Sequence, residues 1–454
     1  MDRIILRLKA TISFLQPFLP LIDSHMVTFL TSDIWEKYVP LQIKHEFNEN
    51  IENNNIIDIF SKHFYSEYNS NISELNKFIR NAKQMYIAEE EALNILQLKQ
   101  TLQLERNDLN YEPLEEFMTK KKSHEVEILV GILAALSDLT GTTHVVEIGD
   151  GKGYASSLLA LRHHVRVLGL ECSQSNIVGA EKRKKKLYKY LKTSKDADKE
   201  CHYRQALAKV NKDTNIIEYL QQIFSEDFPP FVYGISGLHT CGDLSPISLN
   251  LFLSESITPA ARFLVNIGCC YHLLNTSEEE HTADSPSGFP LSSFVKQTGF
   301  NLSRNARMMS LQAPFKLLHY KQSPAPSLMY RAVLERLLDD TFGAGYPKVR
   351  DVGRIGTKCK DFTQYVRKAS SILGCDITFS DEELQQYYSK FEYSEKKLHF
   401  YFMLRVILAP VVEGIILLDR LLFLKEKGIE QSFLVKLFDP VISPRCYGIV
   451  AIRD

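Results

Sequence analysis

The chain has 454 residues, a formal net charge of −1 and 44% hydrophobic residues. That length implies about two to three domains, or one domain enlarged by insertions. The near-neutral balance excludes a global basic field for nucleic acid, and the ordinary apolar content excludes a chain without sizeable cores.

Residues 1 to about 120 read as a helical N-terminal region. Met1–Ile22 is amphipathic, interrupted by Pro17 and Pro20. Ser32 or Asp33 offers a helix cap just before the single tryptophan, Trp35. Asn48–Asn55 reads as a loop, and helical patterning resumes from Ile56 and from Ile87 to Leu104. Lys120, Lys121 and Lys122 then open a helix over 124–139, with Val126, Leu129 and Leu133 inward. These lysines read first as a solvated helix start, and otherwise as lining the mouth of the ligand site.

From Thr143 strands alternate with helices. Strands fall at 143–148, 165–170, 201–208, 231–238 and 262–267, and helices at 153–162, 174–191, 216–224 and 244–254. Apolar strands in this alternation predict an α/β fold, a parallel sheet covered on both faces with ligands at its carboxyl edge. A polar loop at 275–288 breaks the pattern. Helices are expected near 328–341, 361–373, 380–390 (Ser380 and Glu383 as a capping box) and 395–427, with a break or kink at Pro410. Tyr401–Leu424 imitates a membrane span but carries Arg405, Glu413, Asp419 and Arg420. Such charges are expensive in lipid, so a buried helix pair and no membrane partner are expected. Gln431–Phe438 and Arg445–Ile452 read as two antiparallel strands around a turn.

The stretch Val145–Tyr154 organises the chain: a buried strand, an acid (Glu147), then Gly149, Asp150, Gly151, Lys152 and Gly153 before a helix. Tight ligand-binding turns need glycine, and the following helix offers free N–H groups. A dinucleotide fingerprint wants glycine at the sixth position, where this chain has Tyr154. The turn instead resembles the first motif of S-adenosylmethionine-dependent methyltransferases. Glu171 ends the second strand, where an acid commonly meets ribose hydroxyls. His239, Cys241 and Asp243 follow the fourth strand, and Cys269, Cys270, Tyr271 and His272 follow the fifth.

Glu147–Tyr154, the Gly-Leu-His-Thr-Cys-Gly-Asp-Leu run at 237–244, Gly-Cys-Cys-Tyr-His at 268–272, Lys121–Val126 and the terminal Phe-Asp-Pro-x-x-Ser-Pro-Arg at 438–445 resemble the methyltransferase-like protein 25 family. The resemblance implies a Rossmann-like class I methyltransferase sheet using S-adenosylmethionine. That domain would span 121–454, with a mostly helical insertion at 275–400 and the terminal hairpin closing the sheet. Glu147, Gly149, Asp150, Gly151, Gly153 and Glu171 would bind the cofactor. His239, Cys241, Asp243, Cys269, Tyr271 and His272 would surround the acceptor, RNA or protein rather than a small molecule. Relatives are labelled ribosomal RNA adenine dimethylase domain-containing, but N6-adenine enzymes usually carry an Asn/Asp-Pro-Pro-aromatic motif after the fourth strand, where this chain has His239-Thr240-Cys241-Gly242, which puts adenine in doubt.

His239 or His272 is suited to take a proton from the acceptor, and Asp243 to cap the helix beginning near Leu244. The Cys and His side chains of these loops are of the kind zinc takes. Adjacent cysteines chelate poorly, however, and the reading carries no metal. Lys182–Lys186, with Lys189, Lys192 and Lys195, could meet RNA phosphates or serve as a nuclear address, and reads first as a solvated helix face. Nothing signals DNA. The eight cysteines form no Cys-x-x-Cys pair and follow no signal peptide, so cytosol or nucleus is expected.

Overall fold

The computed structural model describes residues 1–48, 55–66, 73–104, 117–191, 202–225, 230–254, 260–276, 288–344, 346, 352–353 and 355–453. Lys192, Lys195, Cys201 and most of the polar loop 275–288 lie outside the described residues.

One mixed sheet carries the site. Its strands are β1 (Leu93–Asn94), β2 (His144–Ile148), β3 (Arg166–Glu171), β4 (Tyr203–Leu207), β5 (Tyr233–Cys241), β6 (Ala261–Cys269), β7 (Ser432–Lys436) and β8 (Tyr447–Ile452). The spatial order is β1-β7-β8-β6-β5-β2-β3-β4. Every neighbouring pair is parallel except those that include β8, which runs antiparallel to β6 and β7. All five residues of β2 are buried, as a central strand covered on both faces requires. Helix Lys120–Thr140 packs Val126, Leu129, Val130 and Leu133 into the core that holds Val145, Leu158, Val265 and Val450.

The expected α/β sheet is present, with three differences. Residues 93–94, expected to be helical, pair with β7 as a further parallel edge. The terminal hairpin closes the sheet as expected, with β8, last in sequence, between β6 and β7. β5 and β6 run to Cys241 and Cys269, past their expected ends at 238 and 267, so the residues read as loops are largely strand ends. Cross-strand pairing keeps them extended, since Thr240 opposes Gly268 and Cys241 opposes Cys269. Finally, the helix runs unbroken from Glu392 to Glu426 through Pro410. Proline there removes one hydrogen bond and crowds the preceding turn. Apart from Phe402 and Pro410, all of 401–424 is buried, and tertiary packing holds the helix across the defect.

By its contacts the chain forms two compact units, one of residues 1–12, 87–311 and 412–454, the other of 13–86 and 312–411. These bounds differ from a division at 120/121 with an insertion at 275–400. The first contains the whole sheet. The second is helical, with Trp35, Phe47, Phe60 and Phe400 packed edge to face. Asp33 occupies the expected cap position before Ile34–Tyr38, but in a left-handed conformation and without a side-chain cap bond. The Ser380–Glu383 capping box forms. Among the described residues two helices, Asp2–Asp23 and Glu392–Glu426, are long and apolar enough to cross a membrane, and the apolar part of the second is largely buried.

Candidate active site

The glycine turn leaves β2 at its carboxyl end. Gly149, Gly151 and Gly153 have φ of 72°, 60° and 64°, a region that strains any residue with a Cβ. The Gly149 N–H donates to Leu170 O at 2.9 Å, which stitches the turn to β3. The Gly151 N–H donates to Glu171 Oε2 at 2.8 Å. Glu171 Oε1 accepts from Ser173 N at 2.8 Å and Asn176 Nδ2 at 3.2 Å. Turn and acid therefore meet at the carboxyl ends of β2 and β3. Cys172 Sγ, 3.7 Å from Oε1, is a weak fourth donor, so a ribose hydroxyl at Glu171 takes the place of that thiol.

Asp150, grouped with the cofactor residues from sequence, turns inward. Its Oδ1 accepts from Ser156 Oγ at 2.5 Å, and its Oδ2 from Tyr203 Oη at 2.5 Å and from Gln205 Nε2. Burial pushes its carboxyl above the usual range, against those three hydrogen bonds. Asp150 braces the turn from below. Two glycines make room: a Cβ on Gly153 would stand 2.0 Å from Tyr203 Oη, and one on Gly169 would stand 2.2 Å from Asp150 Oδ2. Glu147 also points inward, flanked in register by Gly169 and Ser236, and its Oε1 accepts the Leu238 N–H at 2.9 Å. Burial, aided by nearby Asp150, pushes its carboxyl up to about 7.

The other half of the site lies at the ends of β5 and β6. A register shift between Leu238 and Thr240 leaves His239 at φ 61°. Its Nε2 lies 3.1 Å from Glu125 Oε1. Glu125 is 2% exposed and also accepts from Ser443 Oγ at 2.5 Å. Burial alone would raise Glu125, but the His239, Ser443 and Lys121 partners outweigh it and hold the carboxyl below its ordinary value. The imidazole is thus oriented by an ionised acid.

Cys241 Sγ lies 3.2 Å from Cys269 Sγ, which lies 3.7 Å from Cys270 Sγ. The Cys269 thiol draws Cys241 down to about 6, while its engagement with Cys241, and then burial, push Cys269 up.

Tyr271, Asp243 and His272, read from sequence as residues around the acceptor, have the following surroundings. Tyr271 is 1% exposed and donates to Glu413 Oε1 at 3.0 Å, which makes it a buried strut. Asp243 sits at the cap position of Leu244–Leu253 without capping it; its Oδ1 accepts the Asn275 N–H at 2.9 Å and ties down the chain beyond β6. His272 lies half-buried in a short 3-10 turn, Tyr271–Leu273.

Basic groups gather near the glycine turn. Lys122 Nζ is 3.7 Å and Arg183 Cζ 3.6 Å from the centre of the Tyr154 ring, and Arg183 donates to Lys152 O. Lys122 and Arg183 are therefore more than a solvated face, whereas Lys182, Lys185 and Lys186 are exposed.

Sequence reasoning missed Glu125, Ser443, Tyr203 and Gln205. Glu125 had one signal, an acid beside Val126 on the apolar side of its helix. A cavity of about 510 Å³ beside β7, lined by Ile87, Leu96, Phe438 and Tyr447 among others, shares no residue with the turn or the cysteine strands.

Residues 121–277 match a protein family described as a methyltransferase domain. The chain is 28% identical to the Mus musculus protein named "Probable methyltransferase-like protein 25", across 98% of this chain and 96% of that protein. It is 27% identical to the Homo sapiens protein of the same name, with the same coverage. The matched family region contains the glycine turn, Glu171, His239 and all three clustered cysteines. The chain thus carries a methyltransferase domain over residues 121–277 and is similar along nearly its whole length to proteins named probable methyltransferase-like protein 25, and methyltransferase domains in general draw the methyl group from S-adenosylmethionine.

Proposed function

We propose that S-adenosylmethionine binds at the glycine turn and that its methyl group passes to a macromolecule beside His239. Gly149, Gly151 and Gly153 give the donor a close approach to backbone, and Glu171 accepts from its ribose hydroxyls. The observation that carries this reading is the Gly151 N–H to Glu171 bond, because it brings the two cofactor elements to one point. Bound at the turn, S-adenosylmethionine would supply an electrophilic methyl group to an acceptor aligned with it. His239, oriented by Glu125, would take the proton that the acceptor gives up. RNA is the favoured acceptor, supported by Lys122, Lys152 and Arg183 around Tyr154 near the cofactor turn. The described cysteines are free thiols, in keeping with cytosol or nucleus.

Calorimetry with S-adenosylmethionine and S-adenosylhomocysteine tests the cofactor. Absence of heat and of any thermal shift on folded protein would make the chain a non-catalytic scaffold. Transfer of labelled methyl to fractionated cell extract, with and without ribonuclease, tests the acceptor. Label that survives ribonuclease in protein would overturn the RNA assignment.

A further inference from the structure

The thiols of Cys241, Cys269 and Cys270 converge so that all three sulfurs lie within 4.8 Å of one another. Zinc–sulfur bonds of ~2.3 Å in a tetrahedron hold sulfurs ~3.8 Å apart. The observed 3.2 and 3.7 Å separations are a small movement from that arrangement.

Adjacent cysteines chelate poorly when both are extended, because strand neighbours project to opposite faces. Cys270 is not extended. Its φ is 51°, a left-handed conformation rare outside glycine, and it leaves its sulfur beside that of Cys269. His239 is likewise left-handed, and the irregularity there precedes the pairing of Cys241 with Cys269. Such strain persists only where the surroundings enforce it, and it clusters at ligand clamps. Here both strained residues serve one result, the gathering of three thiols.

A second, independent observation concerns charge. Arg420 is 1% exposed, and among the described residues none of its three side-chain nitrogens has a hydrogen-bond partner. A Cβ on Gly268, next to Cys269, would stand 2.3 Å from Arg420 Nη1. The anionic or ionisable groups nearest in its field are Tyr271, Asp419, Asp243 and Cys269. Asp419 is occupied by the N–H groups of Leu291 and Ser292, and Asp243 by that of Asn275. A buried guanidinium whose donors have no hydrogen-bond partner is costly, and its other close contact is the Tyr271 ring at 5.4 Å. Three thiolates around a divalent cation carry one net negative charge and add sulfur acceptors on the Arg420 side of the strand ends.

We propose that Cys241, Cys269 and Cys270 bind one thiophilic divalent cation, zinc in the cell, at the carboxyl ends of β5 and β6. Binding releases the thiol protons to solvent. Cys241 is exposed, which leaves the ion an entry path and a fourth position for water or an acceptor atom, as in zinc sites with three protein ligands.

The site does not depend on the cofactor reading, and its test uses no nucleoside. The full chain, reduced and stripped of metal, is titrated with Cd2+ while sulfur-to-metal charge-transfer absorbance is followed. One Cd2+ per chain should bind and be displaced by Zn2+. Cys241→Ser, chosen because that side chain is exposed, should weaken uptake by more than about tenfold, since even loss of a group behind a ligand costs about that much. The double variant Cys172→Ser, Cys359→Ser, whose thiols lie outside the cluster, should bind as the parent does. Circular dichroism of each variant separates loss of a ligand from loss of fold. No absorbance from the reduced, folded parent overturns the proposal, as does uptake that Cys241→Ser leaves unchanged.

Discussion

Gly153→Ala probes the cofactor turn through its support. A Cβ at this position stands 2.0 Å from Tyr203 Oη and 2.7 Å from Cζ, and Tyr203 is 1% exposed, so its ring has no solvent to swing into. The left-handed backbone alone costs a side chain ~1–2 kcal/mol. Moving the ring also breaks the Tyr203–Asp150 hydrogen bond, and a buried acceptor left short costs ~1–3 kcal/mol. The total is about 2–5 kcal/mol. Tyr203→Ala removes the obstructing atoms, so in that background Gly153→Ala should cost only the backbone part, ~1–2 kcal/mol. Urea unfolding of the parent, both single variants and the double variant, followed by circular dichroism, closes the cycle. A coupling of at least ~1 kcal/mol is expected between residues in contact. Equal cost of Gly153→Ala with and without the ring would refute the idea that Tyr203 excludes a side chain there. Calorimetry with S-adenosylmethionine on the same proteins reads whether binding follows the turn.

Four further outcomes follow from named contacts. Glu147 holds its proton more tightly folded than unfolded, so its contribution to stability is full below about 4.5 and is lost as pH rises to about 7. The loss is on the order of 3 kcal/mol, and Glu147→Gln should flatten the dependence between pH 5 and pH 8; an unchanged slope would contradict the assignment. His239→Asn should lower methyl transfer by about 10²–10⁴-fold while S-adenosylmethionine affinity stays put, and Glu125→Gln should move in the same direction; a loss of cofactor affinity instead would place His239 elsewhere in the cycle. Arg445→Met strands buried Glu413, which Arg445 meets at 2.9 Å, at ~3–5 kcal/mol by urea midpoint. Adding Glu413→Leu should restore much of it, and no restoration would mean the pair is not the cause. A chain ended at Glu426 loses β7 and β8 and bares the β6 edge from Phe263 to Asn266, so it should be insoluble. A soluble product that binds cofactor would show the last strands to be dispensable.

Local order decided what could be read early. The apolar runs at 144–148, 166–171 and 261–269 carry their strand character in their own residues. Ser380 and Glu383 likewise form their cap from neighbours three residues apart. Pro410 shows the limit of that logic, since its local penalty is overruled by burial on both sides of it in the chain. Asp150 shows it again. Between two glycines it looks like a ligand-facing acid, yet Tyr203 and Gln205, on a strand two places away, claim its carboxyl.

By itself the sequence determined the parallel sheet, the glycine turn and the acid that meets it, because strand period, left-handed glycine and strand-end position are all encoded within a few residues. Only the tertiary structure decided which side chains face one another across the sheet edge. His239 meets Glu125 across 114 residues, Ser443 reaches the same carboxylate from the far end of the chain, and Arg420 comes to lie beside Gly268. Those encounters depend on β8 entering between β6 and β7 and on one helix running through its proline. Local periodicity records whether a residue is buried; the long-range order of strands records against what.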